Sequence, residues 1–207
     1  HRGTLTTHGL VKKQNRKLEI KLRNVEMLWS CLDIDLYPSK ELDALWKKLL
    51  INQFHDIIPG SSINLVYKTT HQEYDQVHKG CDDLIKRASE RLFSNSSDSF
   101  VLANTLSDSW QGVVDIPNSF KNYDVLDEKG NKVPIQLKDD SVIGFVDLPA
   151  LSFSSFTKGE KVERGVKMGK NLVLENDLVS YKFNDNGRLI KCFDKELNQD
   201  FLIGEGN

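Results

Sequence analysis

From Arg16 to Leu36 the apolar residues Leu18, Leu22, Val25, Leu28, Trp29 and Leu32 recur at steps of three and four, which places them on one helical stripe. Tyr37-Pro38-Ser39 ends that helix, because proline disfavours helical geometry at the residue before it. Ser39 is suited to cap a second helix, with Glu41 in its first turn and a stripe of Leu42, Leu45, Trp46, Leu49 and Leu50. Pro59-Gly60-Ser61-Ser62 interrupts the chain again, and either serine is a suitable N-cap. A long third stripe then runs from Ile63 and Val66 through Tyr74, Val77 and Cys81 to Leu92. Three amphipathic helices joined by short turns predict an antiparallel bundle.

The pattern changes after the polar run Asn95-Ser96-Ser97-Asp98-Ser99. Short β-like runs follow at 100–103, 112–116, 142–148, 172–174 and 178–183, with turn signals between and after them, notably Glu128-Lys129-Gly130-Asn131 and Asp185-Asn186-Gly187. Asn-Gly suits a type I′ hairpin turn. The predicted fold is therefore α+β: a helical domain over 1–95, then a partial β-sandwich-like domain over 96–207. The last residues, Ile203 to Asn207, close no element, and the opening His1-Arg2-Gly3 is no start of translation, so the sequence reads as a piece of a longer chain.

Charge narrows the function. The 207 residues carry a formal net charge of -2, with an excess of basic groups before Asn95 and of acidic groups after it. That balance argues against a nucleic-acid partner, and no apolar run is long enough to cross a bilayer. Cys31, Cys81 and Cys192 are widely spaced and odd in number, which favours a reducing compartment over a disulfide framework and argues against a thiolate zinc site.

The stretch richest in chemistry is Asn52-Gln53-Phe54-His55-Asp56-Ile57-Ile58-Pro59-Gly60-Ser61-Ser62. A helix end before a Pro-Gly turn can aim polar side chains into a cleft. There a neutral imidazole is a zinc donor, and the adjacent carboxylate can accept hydrogen bonds from hydroxyls. On spacing alone the plainer reading of His55 and Asp56, a surface histidine and a carboxylate at a helix end, is favoured, because zinc takes three or four protein ligands.

The two segments His1-Arg2-Gly3-Thr4-Leu5-Thr6-Thr7 and Asn52 to Ser62, in that order and about fifty residues apart, resemble motifs of the α-mannosidases of glycoside hydrolase family 38, in their cytosolic and bacterial branch. Leu5 stands where that family usually has tyrosine. The resemblance implies a helical middle domain and the start of a C-terminal β-region, with His55 as a metal ligand, usually to zinc. It further implies that Asp56 accepts hydrogen bonds from mannose hydroxyls, and that His1 lines the same subsite where relatives place an aromatic wall. The implied activity is retaining exo-hydrolysis of terminal α-mannosides in mannose-containing oligosaccharides, in the cytoplasm, by a protein able to form homo-oligomers. Both catalytic carboxylates and the remaining metal ligands would precede His1, so this segment alone is expected to be inactive.

Other residues have structural readings. Trp29 and Trp46 fall on apolar stripes, leaving Trp110 as the one open aromatic; His71 and His78 read as solvated, and His8 as a loop residue. Asp33 and Asp35, like Asp82 and Asp83, do not face each other on a helix. A rival function is a non-catalytic helical and β module that binds carbohydrate or protein through an exposed aromatic such as Trp110.

Overall fold

The computed structural model describes residues 3–138, 141–162, 172–176, 178–202, 204 and 206. The chain forms two compact units, His1–Lys161 and Val162–Asn207. The helices lie in the first: α1 (Gly9–Ser30), α2 (Ser39–Ile51) and α3 (Asn64–Leu92).

Helix α1 starts well before Arg16. Its buried stripe extends upstream through Asn15 to Val11, and the polar Asn15 hides this continuation from an apolar count. The helix also stops earlier, at Ser30, where the Cys31 N–H donates to the Leu28 carbonyl at 3.2 Å and the Leu32 N–H to the Trp29 carbonyl at 3.1 Å; Ile34–Leu36 is a separate, exposed 3-10 turn. Neither expected serine cap forms. Ser39 is the first helical residue and its hydroxyl donates to the Tyr37 carbonyl at 3.3 Å. Before α3 it is the Ser62 backbone N–H that is held, by Tyr67 Oη at 2.8 Å, and Ile63 occupies the N-cap.

All three helices feed one core, which includes Leu18, Leu22, Val25, Trp29, Leu49, Tyr74 and Val77. Leu50, expected on the α2 stripe, is exposed. Both helical tryptophans are packed, and their polar ends are satisfied: Trp29 Nε1 donates to the Leu84 carbonyl at 3.1 Å and Trp46 Nε1 to Glu26 Oε1 at 3.0 Å. Helices α2 and α3 approach closely at Gly80, where a Cβ would stand 2.6 Å from Leu45 Cδ2.

The remainder of this unit is antiparallel β structure: β1 (Ser99–Asn104), β2 (Trp110–Ile116), β3 (Tyr123–Leu126), β4 (Lys132–Val133), β5 (Ile135–Lys138), β6 (Ser141–Leu148) and β7 (Ser152–Lys161). One sheet has the order β1-β7-β3-β4, the other β2-β6-β5. Their shared core takes Val125 and Phe156 from the first, and Ile116, Val142, Val146 and Leu148 from the second. In β6 burial alternates as period two demands, through Val142, Gly144, Val146 and Leu148.

The polar run at 95–99 is where helix gives way to strand, and it lies inside the first compact unit. Polar contacts tie the two halves of that unit. Arg23 Nη2 donates to the Thr105 carbonyl at 2.8 Å, and Thr105 Oγ1 donates to Asn24 Oδ1 at 2.8 Å.

The second unit holds one antiparallel sheet in the order β11-β10-β9-β8, from β8 (Val173–Glu175), β9 (Val179–Phe183), β10 (Leu189–Asp194) and β11 (Gln199–Asp200). The Asn186-Gly187 turn joins β9 to β10 as expected, with a different geometry. Gly187 has φ 77° but Asn186 is not in the left-handed region, as type I′ would require. Asn184 Oδ1 instead accepts the backbone N–H groups of Asn186 and Arg188, at 3.1 and 3.0 Å.

Candidate active-site loop

Helix α2 ends at Ile51, and the next two side chains anchor the chain that leaves it. Asn52 is buried; its amide donates to the Lys48 carbonyl at 2.8 Å and to Glu73 Oε2 of α3 at 2.6 Å. Gln53 Nε2 donates to Glu19 Oε1 of α1 at 2.8 Å. Successive turns follow, with Ile57 N–H on the Phe54 carbonyl at 2.8 Å and Gly60 N–H on the Ile57 carbonyl at 3.1 Å. Ile57 packs against the helical core, so the turn's opposite side faces outward. That side carries His55 and Asp56, whose side chains are 77% and 60% exposed, with Nε2 and Oδ2 3.5 Å apart. The Phe54 ring lies 4.1 Å from the imidazole, tilted by 48°.

The N-terminal segment comes to the same loop. Thr6 and Thr7 both donate backbone N–H bonds to the Gly3 carbonyl, at 3.0 and 2.8 Å, and Lys12 Nζ donates to the Thr7 carbonyl at 2.6 Å. Thr7 lies directly on Gly60, which has φ 89°; a Cβ there would meet Thr7 Cγ2 at 2.8 Å and its carbonyl oxygen at 2.9 Å. Next to this contact His8 stacks on Tyr67, with centroids 3.8 Å apart and planes within 17°. Tyr67 Oη accepts from Ser62 N–H and donates to the Ile57 carbonyl at 3.3 Å. His8 is therefore a packing residue at a left-handed helix start, with φ 49°, and not a loop residue without a role. His1 and Arg2 lie outside the described residues.

Elsewhere, His78 departs from the expected solvated state. It is half-buried, its Nε2 lies 3.0 Å from Gln14 Oε1, and burial, then the nearby Lys21 ammonium, lowers its pKa. Trp110 packs against the β core, and its ring covers Gly112, where a Cβ would be 2.5 Å from Cζ2. Asp33, Asp35, Asp82 and Asp83 are exposed, and the last two pair with Lys21 at 2.6 Å and Arg87 at 3.2 Å. Glu19 and Glu73 act on this loop from other helices, with no local spacing to betray them, and Tyr67 reads in the sequence only as one position of the third apolar stripe.

His55 presents imidazole donor chemistry that zinc accepts. Among the described residues no group of three or more His, Cys, Asp or Glu is placed to hold a metal ion. The donors fit one side of a coordination sphere and do not close it.

Residues 1–92 match the alpha mannosidase middle domain family. Over its whole length the chain is 26% identical to Alpha-mannosidase G of Dictyostelium discoideum, covering 23% of that protein. It is 28% identical to Alpha-mannosidase 2C1 of Homo sapiens over 91% of the chain and 18% of the relative. In fold it resembles the crystal structure of an alpha-mannosidase from Enterococcus faecalis V583, with a TM-score of 0.58 at 21% identity, covering 96% of this chain and 29% of that one. These findings support a segment of a glycoside hydrolase family 38 α-mannosidase, as the two motifs imply. The chain spans less than a quarter of the length of these curated relatives. Among the described residues no helix is long and apolar enough to cross a membrane.

Proposed function

We propose that this chain is the helical middle domain, residues 1–95, and the first part of the C-terminal β-region, residues 96–207, of a retaining, metal-dependent exo-α-mannosidase of the cytoplasm. In this reading the helices form an antiparallel three-helix bundle and the first two sheets a partial sandwich. His55 donates one imidazole nitrogen to a divalent metal, Asp56 accepts hydrogen bonds from hydroxyls of the terminal mannose, and His1 lines the same subsite. Zinc, when bound, orients vicinal sugar hydroxyls and stabilises developing charge. Carboxylates outside this chain carry the double displacement, one attacking the anomeric carbon while the other protonates the departing oxygen.

The observation that carries this reading is the meeting of the two motifs. Thr7 packs on Gly60, and the turn so braced presents His55 and Asp56 side by side to solvent. Exposed apolar side chains, Leu5, Ile51, Phe54, Ile63 and Leu65, flank the same segments, as expected of a surface completed by more protein. The rival module has less support, because Trp110 is engaged by the β core.

The test is made in a full-length enzyme containing this segment. His55→Ala should lower both metal stoichiometry and kcat, the latter by about a hundredfold or more. Asp56→Asn should mainly reduce kcat/KM on an aryl mannoside while metal content is kept. Normal turnover and metal content in His55→Ala would remove the assignment.

A further inference from the structure

From the contacts beneath the loop we infer that Glu19 and Glu73 are positioning residues, which set the direction of His55 and Asp56 by gripping the two preceding side chains from two different helices. This rests on the reading of His55 and Asp56 given above and adds residues to it.

The argument is geometric. His55 itself has few restraints, being largely exposed, so its direction is inherited from the backbone that leaves α2. That backbone is pinned at Asn52 and Gln53. Glu73 Oε2 takes the Asn52 amide at 2.6 Å, and the same amide closes back on the Lys48 carbonyl, so α3 fixes the last turn of α2. Glu19 Oε1 takes the Gln53 amide at 2.8 Å and the Asn15 amide at 3.1 Å, so α1 fixes the next residue. Two anchors on consecutive residues, from elements on different sides, leave the chain one exit direction, whereas a single anchor would leave it free to rotate. The acceptors are carboxylates, and a charged acceptor makes the stronger bond to an amide N–H. Between them Tyr74 Oη and Asn15 Oδ1 are buried without a protein partner, and the burial of Tyr74, with the charges of Glu19 and Glu73 adding, pushes its pKa up to about 12. Burial of this kind lowers the local dielectric, which strengthens the two anchoring hydrogen bonds.

The experiment compares Glu73→Ala and Glu19→Ala with Glu73→Gln and Glu19→Gln in the full-length enzyme. A glutamine still offers a carbonyl oxygen to the amide, so it should hold kcat within about threefold, while each alanine should lower kcat by about tenfold or more with KM for an aryl mannoside little changed. The second readout is hydrogen exchange by mass spectrometry. Peptides over Phe54–Ile58 should exchange about tenfold faster in the alanine variants, and peptides from the middle of α1 and α3 should not change. Exchange at Phe54–Ile58 equal to the parent overturns the inference whatever the activity shows. Faster exchange with unchanged kcat overturns the catalytic consequence, and a parallel His55→Ala variant of normal activity then assigns that failure to the role of His55. If an alanine variant does not fold, Gln53→Ala removes the Glu19 contact from the loop side, and unaltered exchange in it is equally decisive.

Discussion

At the scale of single residues, the joint between the two motifs depends on Gly60. Its φ of 89° is a conformation other residues adopt only with strain, and the space for a side chain is taken by Thr7 backbone as well as side chain. That backbone is held by its N–H on the Gly3 carbonyl and by Lys12 Nζ on its own carbonyl, so it does not give way freely. Gly60→Ala should therefore lower stability by about 1–3 kcal/mol, measured by denaturant unfolding, and a change within about 0.5 kcal/mol would show the loop tolerates displacement. Tyr67→Phe is a smaller cut. It keeps the ring that stacks on His8 and removes only Oη, leaving Ser62 N–H without its 2.8 Å acceptor, so a loss of about 1 kcal/mol is expected. A Tyr67→Phe protein as stable as the parent would mean that solvent replaces that acceptor without cost.

At the scale of elements, α2 is held on α3 by core packing and by the Glu41–Arg87 pair, whose two bonds measure 2.7 and 3.0 Å. The hydrogen bond from Arg87 holds the Glu41 carboxyl below the usual glutamate range, against a smaller opposing effect of burial. A folded value below the unfolded one means the pair's contribution is present above the ordinary glutamate range and is lost as pH falls through it to the folded value. The carboxylate is half exposed, so screening keeps this below about 1 kcal/mol. Glu41→Gln should accordingly flatten the acid side of the stability–pH curve by that amount, and an unchanged slope would assign the acid sensitivity to other carboxylates. Helices were legible because apolar period survives in a sequence: Leu18, Leu22 and Val25 declare α1. Its first turns were not, because a buried Asn15 carries the same position in polar form. Likewise β6 was evident from alternation, whereas β7, with Ser152, Ser154 and Ser155 in its run, has too little apolar contrast to show as a strand. Type I′ geometry failed for a related reason, since Asn184 supplies acceptors that the dipeptide Asn-Gly does not reveal. For the loop, sequence could nominate His55 and Asp56, but not the carboxylates that hold it, which come from α1 and α3.

At the scale of the first compact unit, the helical half and the β half are joined by a flexible-looking polar run and by a contact that the run does not contain. Arg23 donates to both Thr105 Oγ1 and its carbonyl, at 3.2 and 2.8 Å, while the hydroxyl donates in turn to Asn24. Phe93, just beyond α3, meets Phe153 of β7 edge to face at 5.2 Å. These contacts bridge what the link 94–98 between α3 and β1 alone would leave independent, so cutting them should loosen that link before it melts either core. Thr105→Val keeps the carbonyl bond and removes the hydroxyl, whereas Arg23→Ala removes every bond from the guanidinium to Thr105. The expected order of cleavage by a nonspecific protease at 94–98 is Arg23→Ala fastest, then Thr105→Val, then the parent, with the helical near-native circular dichroism signal unchanged in all three. Equal cleavage in the three proteins would show instead that the aromatic contact and the bonds from Lys158 to Asp98 set the junction, and Phe153→Ala would then be the variant that accelerates it.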